Sequence, residues 1–273
     1  MLSSLVLFGI SVFLFILRDR SYADIVIFLS LISAGGVMLS VLGSHKLYLQ
    51  SMATLGDDFA KWYKRQKKTI KLSIGAKKVL ALSNTIYGCL AYEKMDEARI
   101  LIDRFKRIIA KKNVPMYRYL CFSHMLSFDE KNCDISNAGN YLSEMYGCIT
   151  SNRFPASHKT DFMNLFEYSK SEVEFYTRTP EQLRTVDKRI AEQLNISSKL
   201  CASDLDTTAV QTGYPLLMYY YNTGLSYAIL GETQGAAQYL GYIASDGTDY
   251  PIVRRVNEYI SSGDINILLS KMP

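Results

Sequence analysis

Residues 219–251, YYYNTGLSYAILGETQGAAQYLGYIASDGTDYP, decide the fold class. Large apolar and aromatic side chains recur there every three or four residues on both sides of Gly231, which is typical of two amphipathic helices. Gly231 permits the left-handed turn that ends the first helix. Gly224 and Ala236 leave room for a close crossing of the two helices, so the stretch predicts a helical hairpin. The side chains expected around that crossing are Tyr220, Tyr227 and Leu240.

The same stretch resembles a tetratricopeptide repeat (TPR). The large and small positions of that family are matched by Tyr220, Gly224, Tyr227, Gly231, Ala236 and Leu240. The resemblance implies an array of helical hairpins whose first helices line a concave groove. It places five residues in that groove, namely Met218, Tyr221, Asn222, Leu225 and Ile229. Core packing is the alternative for the tyrosines of this helix. In peptide-binding members of the family, an asparagine at the place of Asn222 contacts the ligand backbone.

The chain from residue 80 onward repeats the order of helix, short turn and helix. No strand-like run with period-two alternation and hairpin turns interrupts it. Five prolines stand where helices are expected to start or end, namely Pro115, Pro155, Pro180, Pro215 and Pro251. We therefore predict an all-α, irregular, TPR-like antiparallel helical-repeat domain over residues 80–273. A non-repeating helical bundle is the alternative.

Two charge-free apolar runs precede this domain. Residues 2–17 read LSSLVLFGISVFLFIL and residues 25–42 read IVIFLSLISAGGVMLSVL, with RDRSYAD between them. A membrane-spanning helix needs about 20 apolar residues, and each run approaches that length with its flanking residues. The sequence thus predicts a two-helix transmembrane hairpin over residues 1–44. The alternatives are a buried soluble hairpin and a single spanning helix.

Charge is divided unevenly along the rest of the chain. Residues 45–115 contain 16 Lys and Arg against 6 Asp and Glu, whereas residues 116–273 contain 13 against 18. Basic residues beside a transmembrane segment mark the cytosolic side. We therefore expect a multi-pass protein of the plasma membrane with a large cytosolic C-terminal domain. The basic segment favours an anionic membrane surface over nucleic acid as its partner.

Residues 45–79 are predicted to form a basic juxtamembrane helix or linker. We expect membrane-surface contacts from Trp62, Lys64, Arg65, Lys67, Lys68 and Lys71. The alternative is an ordinary first helix of the soluble domain with a solvated basic face. In the second predicted helix, small residues repeat at every fourth position, namely Gly36, Ser40 and Ser44. They predict helix packing in the membrane, within the hairpin or in a homo-oligomer.

A search for local motifs of catalysis, cofactor binding and metal binding finds no convincing candidate. The sequence contains no phosphate-binding loop, G-x-S-x-G elbow, HExxH or CxxC pair. Cys121 and His124 lie three residues apart without a second pair, so we expect them to pack in the core. Glu172 and Glu174 lie on a polar stretch and are expected on the solvated surface. The odd number of five cysteines predicts reduced, mostly buried thiols.

These features together predict a membrane-anchored adaptor or scaffold that presents its helical-repeat domain to a protein partner. The expected partners are the lipid bilayer and an unidentified protein, with a homo-oligomer as a further option. We expect no catalytic site, no cofactor and no metal. The alternatives are a structural subunit of a membrane complex and an enzyme subunit whose site is assembled from dispersed residues.

Overall fold

The structure is a computed structural model that describes residues 58–73, 75–206 and 213–269. These residues belong to one compact unit, which spans Ser51–Pro273. Within them the backbone forms α-helices, one short 3₁₀ helix (Ala156–His158) and no strand. The α-helices are α1 (Phe59–Leu72), α2 (Gly75–Ala91), α3 (Met95–Lys111), α4 (Pro115–Lys131), α5 (Ala138–Thr150), α6 (Lys159–Tyr176), α7 (Pro180–Thr185), α8 (Lys188–Asp206), α9 (Gly213–Leu230), α10 (Thr233–Ala244), α11 (Pro251–Ser262) and α12 (Ile265–Leu269).

Proline and glycine mark the ends of several helices at the positions predicted from the sequence. Pro115, Pro180 and Pro251 lie in the first turn of α4, α7 and α11, where the missing N–H breaks no hydrogen bond. Gly231 follows α9 with φ = +80°, a left-handed conformation that costs glycine little. The predicted turn at Gly231 is confirmed.

Helices that follow one another in the chain pack against one another. From α1 to α6, contacts join every pair of consecutive helices, the last of these pairs being α5–α6. The contacts then continue through α6–α8, α8–α9, α9–α10, α10–α11 and α11–α12. The short helix α7 lies against α8 and α9. The predicted all-α fold class is therefore confirmed for the described residues. Their order of packing is compatible with a helical-repeat array.

The crossing of α9 and α10 is as close as the sequence predicts. A Cβ atom at Gly224 would lie 2.7 Å from both Cγ and Cδ2 of Leu240, closer than carbon atoms normally approach. The two helices fit together because Gly224 has no side chain. Ala236 is buried at the same hairpin.

The first two helices of the array also contact the last ones. The ring centroids of Tyr87 in α2 and Tyr214 in α9 are 5.6 Å apart. Those of Tyr92, just after α2, and Tyr250, just before α11, are 4.9 Å apart. An ion pair between Glu93 and Arg255 lies beside them. The array therefore closes on itself, and its own side chains fill the interior that an open array would leave as a groove.

The prediction of a membrane-spanning fold requires correction. Among the described residues, no helix combines the length and the apolar character needed to cross a bilayer. Even α9 carries Asn222, Thr223 and Ser226, whose side chains are buried among other helices. The apolar runs within residues 1–44, and with them Gly36, Ser40 and Ser44, lie outside the described residues. We accordingly replace the predicted fold class by all-α alone, and we do not retain the multi-pass plasma-membrane localisation.

The basic segment is continuous with the packed helices that follow it. Helix α2 runs across the boundary predicted at residue 80, and α1 packs directly on α2. The described part of residues 45–79 therefore forms the first helix of the same unit. This agrees with the alternative interpretation, in which the segment opens the helical domain.

Candidate functional site

The residues predicted to line a groove lie in the interior of the unit. Tyr221, Asn222 and Leu225 are fully buried, Ile229 is 1% exposed, and Met218 is half-buried against the same core. The Tyr221 hydroxyl donates a hydrogen bond to the backbone carbonyl of Leu268 in α12. In this closed arrangement, four of the five side chains offer no open surface to a ligand, and Met218 is partly exposed.

Asn222 is the centre of a buried hydrogen-bond network between α6 and α9. Its Nδ2 donates to Tyr168 Oη at 2.6 Å and to Glu172 Oε1 at 2.8 Å. The Tyr176 hydroxyl donates to Asn222 Oδ1 at 2.8 Å, and the Tyr168 hydroxyl donates to Glu172 Oε1 at 3.0 Å. Asn222 thus binds side chains of its own chain. In the family that the sequence resembles, the asparagine at this place contacts a ligand instead.

Glu172 is buried, contrary to the expectation that it lies on a solvated surface. It is 8% exposed, and burial raises the pKa of its carboxyl while hydrogen bonds from Asn222 and Tyr168 lower it. A second carboxyl, that of Glu130 in α4, is 3% exposed. Burial and the charge of Glu172 hold the pKa of Glu130 well above its usual range.

Trp62 lies inside the protein, whereas the bases predicted with it are exposed. Its indole is fully buried, together with Gln66 and Ile70 on the same side of α1. Because these residues are spaced four apart, they form one continuous packing stripe. The outcome agrees with the alternative interpretation of this segment, an ordinary first helix with a solvated basic face.

The opposite side of α1 carries only basic charge. We call this surface the basic face, and its exposed residues are Lys61, Lys64, Arg65, Lys67, Lys68 and Lys71. At 100° per residue these six side chains cover an arc of about 160°. Among the described residues, none forms an ion pair with them. Leu72, which is 71% exposed, lies within the same arc.

The packing of α1 fixes the direction of the basic face. Asp58 accepts a hydrogen bond from the backbone N–H of Lys61 at 3.0 Å and so caps the helix. Phe59 packs on Tyr92 with ring centroids 5.0 Å apart. The face is therefore presented by a helix that is held at its start and along its buried side.

Cys121 and His124 are core residues, as expected from the sequence. Ser83 Oγ and His124 Nε2 are hydrogen-bonded at 2.7 Å, and burial lowers the pKa of His124 to about 4. Burial raises the pKa of the Cys121 thiol to about 11. Since the thiolate is the reactive form of cysteine, this geometry does not favour nucleophilic chemistry at Cys121. The five cysteines are free thiols, and Cys133 alone among them is exposed.

A cleft of about 480 Å³ lies between the start of α4 and the end of α5. Its lining includes Arg118, Glu144, Asn152 and Arg153. Arg118 donates to Glu144 Oε2 at 2.6 Å, so the positive charge nearest α4 is already neutralised. The cleft is a weaker candidate for an anion site than the basic face.

Comparisons with protein families, with characterised proteins and with solved structures each find no match to this chain. The interpretation of the site therefore depends on the geometry of its own residues.

Two features of the site were not predicted from the sequence. Glu130 and Glu172 lie on helices with weak amphipathic patterns, and only the spacing of Tyr168 and Glu172, four residues apart, hints that both face inward. The contribution of Lys61 and Leu72 to the basic face is visible in a helical projection once the start of α1 is known.

Proposed function

We propose that this protein is a protein-interaction module, a TPR-like helical-repeat adaptor whose basic face on α1 binds an acidic segment of a partner protein. The observation that carries the proposal is the basic face itself. Six exposed bases without an acidic neighbour in the same helix form a surface that a negatively charged partner would complement.

Features of the helical array support the TPR-like part of the proposal. Consecutive helices pack in chain order, and Gly224 allows the close crossing that the family resemblance implies. Gly231 provides the left-handed turn between the two helices. The protein differs from that family in its closed interior. The candidate binding surface therefore lies on the outer side of α1 and not on the inner side of the array.

The charge distribution favours a short acidic segment over a long polyanion. Helix α1 has 14 residues and is about 21 Å long, which matches about six residues of extended peptide. Residues 116–273 are acidic, with 18 Asp and Glu against 13 Lys and Arg. Trp62 is buried and offers no base-stacking surface.

The expected affinity is modest and sensitive to salt. An exposed ion pair contributes about 0–1 kcal/mol, so six such pairs supply at most about 6 kcal/mol, and with the contact to Leu72 the Kd is in the micromolar range at the tightest. Screening shortens the range of these interactions to about 8 Å at physiological ionic strength. Binding should therefore weaken steadily as salt is added.

A charge-reversal experiment on the full chain tests the proposal. The test variant is Lys64→Glu with Lys68→Glu, and the matched control is Lys159→Glu with Lys170→Glu, two exposed bases of α6. The probe is a fluorescent 14-residue peptide of Glu, Asp and Leu, with a second peptide in which Gln and Asn replace the acids. We expect the test variant to lose at least tenfold in affinity for the acidic peptide, and the control to change less than threefold.

Two outcomes would overturn the proposal. Equal losses in the test and control variants would show that net charge alone is sensed. Tighter binding of a DNA duplex or of anionic lipid vesicles than of the acidic peptide would assign the basic face to another class of partner. In intact cells, a photo-crosslinking residue at position 68 should give protein adducts that Lys64→Glu abolishes, and the same residue at position 170 should not.

A further inference from the structure

Helix α10 has an outer side without any charged residue. Its twelve residues read TQGAAQYLGYIA, and they pack on α9 and α11 with Ala236, Leu240 and Ile243 buried. The opposite side, which we call the uncharged face, consists of Thr233, Gln234, Ala237, Gln238, Gly241 and Tyr242. The outer side of a surface helix normally carries charged residues, whereas the centre of a protein–protein interface is depleted in charge and enriched in tyrosine. The uncharged face therefore has the composition of a surface that another protein covers.

Tyr242 is a preformed anchor on this face. It is 50% exposed, and two further tyrosines hold its ring in place. The ring centroids of Tyr242 and Tyr220 are 5.4 Å apart, and those of Tyr242 and Tyr239 are 6.1 Å apart. Gln238 Nε2 donates a hydrogen bond to the Tyr242 hydroxyl at 3.3 Å. Because an ordered ring loses little conformational entropy on binding, Tyr242 is suited to a contact with a partner.

The apolar surface continues from α10 to α8. The ammonium group of Lys199 lies 4.5 Å from the ring centroid of Tyr227 and 5.6 Å from that of Tyr239, so its charge is directed onto aromatic rings. Ile196 precedes Lys199 by three residues and is 61% exposed. Leu200 follows Lys199 and is 45% exposed. Continuous exposed apolar surface of this kind marks an interaction site.

The shape of the uncharged face fits a second copy of itself. Residues four apart form ridges along a helix, and here one ridge is small, with Thr233, Ala237 and Gly241. The adjacent ridge is larger and consists of Gln234, Gln238 and Tyr242. When two copies of α10 cross in antiparallel directions about a two-fold axis between positions 237 and 238, every large residue lies opposite a small one. The three pairs are Tyr242 with Thr233, Gln238 with Ala237, and Gln234 with Gly241.

The space that this pairing needs is open. A Cβ atom built on Gly241 would meet no other atom within 4 Å. Ala237 is exposed and adds only a methyl group to the small ridge. The larger side chains of a second copy can therefore approach the backbone of α10.

Hydrogen bonding and charge favour the same partner. A glutamine amide and a tyrosine hydroxyl each donate and accept hydrogen bonds, so two identical faces can pair. The chain has a formal net charge of +5, so two copies repel each other over much of their surface. At the uncharged face they meet without bringing like charges together. A strongly charged partner has no complementary charge to bind there.

We propose that the uncharged face of α10 is a dimerisation surface, and that it binds the same face of a second copy of the chain about a two-fold axis between Ala237 and Gln238. Helix α10 has 12 residues and is about 18 Å long. The contact is therefore smaller than the standard interface of about 800 Å² per partner, and the dimer is weak and reversible. The inference goes beyond the proposed function, because it concerns α10 and does not depend on the basic face of α1.

The concentration dependence of the mass of the full chain tests the proposal. In sedimentation equilibrium from about 1 to about 500 μM, the weight-average mass of the wild type should rise from 31.0 kDa toward twice that value. The test variant is Ala237→Glu, which brings two carboxylates together at the axis. The matched control is Ala110→Glu, at an exposed alanine of α3, and it changes the net charge equally. We expect the dissociation constant of the dimer to rise at least tenfold in the test variant and to change less than threefold in the control.

Disulfide formation tests the position of the axis. Gln238→Cys is introduced together with Cys133→Ser, because Cys133 is the exposed cysteine of the described residues. Two copies of position 238 meet near the axis, so oxidation should join them in a covalent dimer. The control is Gln234→Cys in the same background, on the same face. Its two copies lie about 10 Å apart along the helix axis, too far for a disulfide, so the yield should be at least fivefold lower.

A weight-average mass that stays at the monomer value up to 500 μM would overturn the proposal, and so would an Ala237→Glu variant that associates as tightly as the wild type. Equal disulfide yields at positions 234 and 238 would contradict the two-fold arrangement.

Hydroxyl-radical modification of the wild type keeps the test decisive if a variant does not fold. Tyr242 should be accessible at about 1 μM, where the chain is monomeric, and should react at least threefold more slowly at about 500 μM. Tyr146 of α5, which is also 50% exposed, should react at the same rate at both concentrations. Equal changes at the two tyrosines would contradict a dimer formed through α10.

Discussion

The indole ring of Trp62 occupies the space that a side chain at position 88 would fill. A Cβ atom built on Gly88 would lie 2.1 Å from Cη2 of Trp62 and 2.6 Å from Cζ3. Helix α1 can thus lie close to α2 at this point, and the bases on its other side are directed outward. The contact links a buried packing requirement to the orientation of the proposed binding surface.

Gly88→Ala should destabilise the protein because the rigid indole has to move. We expect a loss of about 1–3 kcal/mol in the free energy of unfolding, measured by urea denaturation. Gly147→Ala is the matched control: no atom lies within 4 Å of the methyl group that alanine would add at this exposed helical glycine, so the replacement should be neutral or stabilising by up to about 1 kcal/mol. Equal effects of the two substitutions would show that Trp62 is not packed against Gly88.

His124 should make stability fall in acid. Its pKa is lowered to about 4 by burial, whereas an unfolded histidine has a pKa of about 6.5. Between these values the unfolded chain binds a proton that the folded chain does not, so stability decreases as the pH falls from 6.5 to 4. The contribution amounts to about 3 kcal/mol.

The matched variant for this prediction is His124→Gln, which can keep the hydrogen bond to Ser83 and stays neutral. The difference in unfolding free energy between wild type and variant should shrink by about 3 kcal/mol over this pH interval. A difference that stays constant with pH would show that His124 is accessible to protons in the folded state.

Asn222→Ala should be strongly destabilising. The substitution removes hydrogen bonds to Tyr168, Glu172 and Tyr176 and leaves their buried polar groups without this partner. We expect a loss of about 2–4 kcal/mol, because an unsatisfied buried polar group costs about 1–3 kcal/mol. Asn257→Ala, on the exposed side of α11, should change stability by less than about 0.5 kcal/mol. If urea denaturation gives similar values for both, the buried network is not formed.

Local sequence patterns predicted the helices and one of their crossings, because these depend on neighbouring residues. Gly224 and Gly231 define the hairpin α9–α10, and prolines mark the starts of other helices. The alternation of Phe59, Trp62 and Ile70 with bases likewise predicts an amphipathic α1. The pattern does not say what covers the apolar side. In the structure it is α2, and the sequence left both lipid and the helical domain open as its cover.

Long-range contacts account for what the sequence did not predict. The inward side of α9 was interpreted as a groove, because an open array leaves it uncovered. Tyr221 is instead covered by α12, and the contact between Tyr87 and Tyr214 closes the array across more than a hundred residues of chain. Glu172 was placed at the surface for the same reason, because its buried partner Asn222 comes from a helix distant in sequence.

Hydroxyl-radical footprinting of the tyrosines tests most directly whether the array is closed. A closed array leaves its outer surface as the place where a partner can bind. In the native full chain at pH 7, we expect Tyr146 and Tyr242, each 50% exposed, to be modified rapidly. Tyr221, which is fully buried, should be modified as slowly as Tyr119, at 2% exposure, until urea unfolds the protein. Modification of Tyr221 in the native chain at the rate of Tyr242 would contradict the account.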